Sequence, residues 1–100
     1  MTIYYTGNIK TRKVHVTGGG ASSFLADGKS FVWGREDQSM DLALALIAHA
    51  RGVQRDDVDL DTAARFTVQH VSEWPHHDPF TISDDRILEL LNGYEAETRR

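Results

Sequence analysis

The spacing of hydrophobic positions changes halfway along this chain. Ile3-Tyr4-Tyr5 and Lys13-Val14-His15-Val16 are short β-branched or aromatic runs separated by Gly7-Asn8, which is the composition of two strands. Gly18-Gly19-Gly20-Ala21-Ser22-Ser23 reads as a flexible loop. Asp27-Gly28 stands between Phe24-Leu25 and Phe31-Val32-Trp33 and predicts a hairpin, because that dipeptide tolerates the positive φ of a tight turn. From Leu42 to Ala48 the chain is apolar almost all the way round a helix, so this helix is expected at the centre of the domain.

Capping signals set the expected boundaries. The central helix should start near Ser39 or Asp37, whose side chains can take up free N–H groups. It should stop at Gly52, with Val53 folding back on Ile47. Asp56, Asp57, Asp59 and Asp61 supply negative charge at the start of a second helix. There Ala63, Ala64, Phe66, Val68, Val71 and Trp74 recur over about three turns, until Pro75 ends the run. His76-His77-Asp78-Pro79 is a turn, and Phe80-Thr81-Ile82 is extended. Ser83 should cap a last helix with Ile82 and Ile87 as its hydrophobic staple. Leu88, Leu90 and Leu91 form its buried face before Asn92-Gly93 closes it. Strands first and helices after predict an α+β domain, a small antiparallel sheet packed against about three helices. It should occupy residues 1–94, with 95–100 as a flexible tail.

Charge divides the chain in the same place. Residues 1–35 carry a net +4, from Lys10, Arg12, Lys13, Lys29 and Arg35 against Asp27. Residues 36–98 carry −10, fourteen acids against Arg51, Arg55, Arg65 and Arg86. An acidic majority argues against non-specific nucleic-acid binding, which needs a basic face to displace counterions, and suits a basic partner. The chain has no cysteine, which removes a disulfide scaffold, a thiolate metal site and a thiol nucleophile, and suits the cytoplasm. Met1 to Tyr5 lacks the basic-then-apolar pattern of a signal peptide. The longest apolar run is far short of the about 20 residues that cross a bilayer.

Chemistry finds little to grip. Of the histidines, His70, His76 and His77 with Asp78 make the strongest metal grouping, but His15 and His49 stand apart and no paired helical spacing occurs. Surface and capping roles are expected for them, with no metal. Ser22, Ser23, Ser30, Ser39, Ser72 and Ser83 lack a nucleophile-elbow setting. The glycine triplet is followed by no Lys-Ser/Thr pair that would make it a phosphate loop. The expectation is therefore a non-enzymatic protein without cofactor. Tyr4 and Tyr5 are adjacent on a strand, so they face opposite ways and one should be exposed. An exposed Tyr beside Lys10, Arg12 and Lys13 suits a protein contact or, as the alternative, stacking of a nucleic-acid base; the nucleic-acid surface would then be Lys10, Arg12, Lys13 and Tyr5.

Tyr5-Thr6-Gly7, Phe31-Val32-Trp33-Gly34, Leu42 to Ile47, Phe66, Pro75, Phe80-Thr81-Ile82-Ser83 and Ile87 to Leu91 follow one another over residues 4–91. In that order and spacing the chain resembles a family of small uncharacterised proteins of bacteria and their phages. That family usually carries a Gly-rich turn where this chain has Gly34-Arg35-Glu36-Asp37-Gln38-Ser39. The resemblance implies a phage or mobile-element setting, in which small accessory proteins bind and block host machinery. With the acidic balance, it leads to the expectation of an inhibitor of a host defence complex of the CRISPR type, engaging a basic surface through Glu36, Asp37, Asp56, Asp57, Asp59, Asp61 and Tyr4. A virion structural or assembly role is a further alternative.

Overall fold

The N-terminal runs pair as a sheet. In the computed structural model of the chain, which describes residues 2–18, 21–35 and 38–98, β1 (Tyr4–Gly7) lies antiparallel to β2 (Val14–Gly18). Tyr5 stands opposite Val16, and Tyr4 opposite Thr17. Period-two alternation then puts Tyr5, Val14 and Val16 on the buried face and Tyr4, Thr6, His15 and Thr17 on the other. The strands β3 (Ala21–Phe24) and β4 (Thr81–Ser83) flank this pair, giving the order β3-β2-β1-β4. Every neighbouring pair is antiparallel.

Two turn expectations are corrected here. Ala21 to Phe24 is a strand rather than loop, because its backbone completes the ladder to β2 and an edge strand can carry short polar side chains. Gly18 and Ala21 are the last pair of the β2–β3 ladder. Asp27-Gly28 joins no strand pair. Leu25–Gly28 is a single helical turn broken by left-handed Ala26 and Asp27, at φ 52° and 57°. It swings the chain so that Ser30 bridges back to Lys13 and the Phe31 N–H donates to the Arg12 carbonyl at 2.7 Å. Phe31 and Trp33 are then buried without being in a strand.

The central helix α1 (Met40–Arg51) buries Leu42 through Ala48 without interruption. Gly52 is left-handed at φ 68°, and the Val53 N–H donates to the Ala48 carbonyl at 3.0 Å, the expected closing motif. Ser39 occupies the N-cap position, but its hydroxyl turns back to bond the Arg35 carbonyl and caps no helical N–H. Helix α2 (Leu60–Gln69) stops six residues before Pro75. His70 leaves helical geometry so that Val71 can enter the core, and the Val71 carbonyl accepts from the Gly34 N–H at 2.9 Å. Helix α3 (Asp84–Thr98) is capped by Ser83, whose hydroxyl accepts from the Arg86 N–H at 3.1 Å. It runs through Gly93 rather than ending there. Tyr94 extends the stripe of Ile87 and Leu91 and is itself buried, and burying a large ring outweighs the roughly 1 kcal/mol a helical glycine costs.

The result is a small α+β domain, a four-stranded antiparallel sheet packed on three helices. Its core joins Tyr5 and Val14 of the sheet to Leu42, Leu46 and Ile47 of α1, Phe66 of α2 and Ile87 and Leu91 of α3. Among the described residues no helix lies on the sheet's other face, where Tyr4, Thr17, Phe24 and Thr81 are exposed.

Candidate functional site

The acidic cluster lies in the connection from α1 to α2, on the helical side. Val58 is the connection's buried anchor, and a short turn at Arg55–Asp57 leads into it. Asp59 is the N-cap of α2: its carboxylate accepts from the Asp61 N–H at 3.4 Å and from the Thr62 hydroxyl at 3.0 Å. Its charge is thus spent largely on the helix. Asp56, Asp57 and Asp61 are exposed. Arg55, next to Asp56 in the chain, is turned towards Asp41, which also draws Lys29 to 3.5 Å. Leu60 opens α2 and is 65% exposed. It borders a groove of about 500 Å³ with Leu44, Val58, Arg55 and Asp56. The sequence shows the acids but not the role of Leu60, which lies among them ahead of the apolar positions expected for α2. Its exposure follows from its place in the first turn, ahead of the buried stripe that begins at Ala63.

Of the other members of the expected partner surface, Tyr4 does not join this cluster. Tyr4 projects from the open face of the sheet, opposite to Tyr5 and hence away from the helices. Glu36 and Asp37 fall outside the described residues.

The expected nucleic-acid residues are also separated. Tyr5 is fully buried, with its hydroxyl hydrogen-bonded to Nδ1 of His49 at 2.8 Å. Burial, and secondarily the charge of Asp84, push its ionisation upward, so the phenol stays neutral. Arg12 has a left-handed backbone, φ 60°. Its guanidinium lies 4.7 Å from the Trp33 ring centroid, with Nη2 donating to His76 Nε2 at 3.5 Å. Tyr5 is held inside and the half-buried Arg12 is drawn over Trp33, so both leave the alternative surface. Lys10 and Lys13 remain, and the fold brings them two rings the sequence did not single out. Phe24, 44% exposed, faces His15 across the β2–β3 ladder with ring centroids 4.5 Å apart. Lys13 Nζ sits 5.5 Å from the Phe24 ring. Alternation around Ser23 was the available signal for Phe24, but it could be used only once Ala21 to Phe24 was known to be a strand.

The histidines are absorbed into aromatic packing. His76 Nδ1 donates to the Trp33 carbonyl at 2.8 Å, which leaves Nε2 to accept from Arg12. Trp33 Nε1 donates to the Asp78 carbonyl at 2.9 Å, and its ring meets Phe80 edge to face at 4.9 Å. His70 lies between Phe66 and Tyr94; burial, then the charge of Arg86, lower its pKa. Among the described residues no three His, Asp or Glu side chains converge as metal ligands. Ser30, Ser39 and Ser72 donate to backbone carbonyls, of Thr11, Arg35 and Val68. No described helix is long and apolar enough to cross a membrane. No family model, curated protein or solved structure matches the chain.

Proposed function

We propose that this is a non-enzymatic binding protein of the cytoplasm that docks on a basic surface of a partner protein through the α1–α2 connection. The observation that carries this reading is the exposed Leu60 set among Asp56, Asp57, Asp59 and Asp61. A buried apolar anchor within a charged rim is the usual anatomy of a protein contact. The rim carboxylates speed encounter with a basic surface and select against acidic ones, and the anchor supplies most of the affinity. A nucleic-acid-accommodating channel of a host defence complex, the CRISPR-type partner implied by the resemblance, has the required charge.

A photo-crosslinking residue at position 60 provides the test. It should capture one host protein, and that capture should fall at least tenfold when Asp56, Asp57 and Asp61 are changed together to Asn. Asp59 is kept because its carboxylate caps α2. Raised salt should slow association, and the melting temperature of the variant should stay near that of the wild type. Capture that survives both the neutralisation and high salt would end the proposal.

A further inference from the structure

We infer that the open face of the sheet is a second binding surface, and that its ligand is single-stranded nucleic acid. This goes beyond the proposed protein contact, which uses the opposite side of the domain. The outward positions are Ser22 and Phe24 on β3, His15 and Thr17 on β2 with Lys13 just before it, Tyr4 and Thr6 on β1, and Thr81 and Ser83 on β4. None is acidic. Three are rings, with Tyr4 48% and Phe24 44% exposed. No described helix covers them, and large apolar side chains left in water are informative where they gather.

The occupant follows from charge and shape. Tyr4 and Phe24 stand two strands apart, about 10 Å across the sheet, and two residues apart along it, with Thr17 opposite Tyr4 and His15 opposite Phe24. A base has a π-face for each such ring whatever its identity, which is how sheet platforms hold single strands. Lys13 lies over Phe24, and Lys10 stands at the tip of the β1–β2 loop beside the exposed Ile9. There a groove of about 400 Å³, lined by Thr6, Asn8, Ile9, Lys10, His15 and Pro79, continues the face. Two lysines beside stacking rings suit a phosphate-linked chain of bases. The carboxylates at the far edge, Asp84 accepting from the Ile3 N–H at 3.0 Å and Asp85 from the Thr2 hydroxyl at 3.1 Å, keep their charge there, which favours a phosphate path on the Lys10 and Lys13 side. A duplex hides its base faces, so the surface selects unpaired strands.

Fluorescence anisotropy with labelled oligo-dT and oligo-rU of about 12 nucleotides tests this on the intact chain. Saturable binding is expected at low ionic strength, with a duplex of equal length bound at least tenfold more weakly. With two phosphates neutralised, the logarithm of affinity should fall against that of salt with a slope of about −1.4. Lys13→Gln should bring that slope to about −0.7. Tyr4→Ala and Phe24→Ala should each weaken binding about tenfold, with a cooperative melting transition retained at a slightly lowered temperature because each side chain is only about half covered. Amide shifts should cluster on residues 13–17 and 22–24. Absence of binding at low salt, equal binding of duplex, or a Tyr4→Ala/Phe24→Ala double variant that binds as the wild type does would overturn the inference. So would shifts confined to the helices.

Discussion

Gly34 shows how much one residue carries here. Its φ is +77°, a conformation that strains any side chain, and a Cβ would lie 2.5 Å from the Trp74 carbonyl oxygen and 2.7 Å from the His76 backbone. The chain can pass between Trp33 and the His76 turn only because nothing projects there. Gly34→Ala combines strain with a backbone clash, and should cost about 2 kcal/mol or more. For a domain of this size that lowers the melting temperature by roughly 10 °C, readable by circular dichroism. Gly7 has a different reason for being glycine: a Cβ there would stand 2.3 Å from the Phe80 ring. Arg12 adds a third kind of constraint, since its Nη1 is buried with no hydrogen-bond partner among the described residues. An arginine so placed reads in sequence as a surface cation and acts in the fold as packing over Trp33.

At the scale of elements, α1 is the organising piece. It meets the sheet through Tyr5 and His49, while α2 and α3 pack on its other sides. Leu46 is fully buried at its centre. Leu46→Asp places an unpaired carboxylate there at a cost of several kcal/mol, comparable with the whole stability of a small domain. The expected outcome is a chain without a cooperative melting transition; a wild-type transition would mean that α1 is not the core. The apolar run from Leu42 to Ala48 was enough to read this, because a helix apolar on all sides has no stable place at a surface. The same reasoning failed for α2, where the apolar positions from Ala63 to Trp74 suggested one continuous helix. The break at His70 answers to a bond with Gly34, almost forty residues away, which local periodicity does not register.

The molecule as a whole separates its charge, with the sheet and its loops positive and the helical layers negative. That division lets one domain offer two surfaces of opposite sign, one for a basic protein and one for phosphate. It also bears on acid stability. His70 has its pKa lowered in the fold, so the unfolded chain takes up the proton first. Its contribution is therefore intact above the ordinary histidine range and is lost as pH falls from about 6.5 through the folded value. His70→Phe keeps a ring between Phe66 and Tyr94 and removes that proton. Denaturant titrations between pH 7 and pH 5 should show the wild type losing stability more steeply than this variant. Equal slopes would mean that His70 does not govern the acid limb in that interval.

Helix identity, the Gly52 stop, the Ser83 cap, the burial of one tyrosine of the Tyr4-Tyr5 pair and the α+β class were legible in the chain itself. Each depends on interactions within about one turn or on strand alternation, and these leave a period in the order of residues. The acids of the α1–α2 connection were legible too, though not the division of labour that gives Asp59 to the helix and leaves Asp56 and Asp57 to solvent. Strand register alone placed Phe24 beside His15. Long-range packing alone drew Arg12 onto Trp33, carried α3 past Gly93 to bury Tyr94, and left Leu60 outside. Such outcomes are settled by which surfaces meet across the core, and residues brought together from far apart in the chain leave no local pattern by which to recognise them.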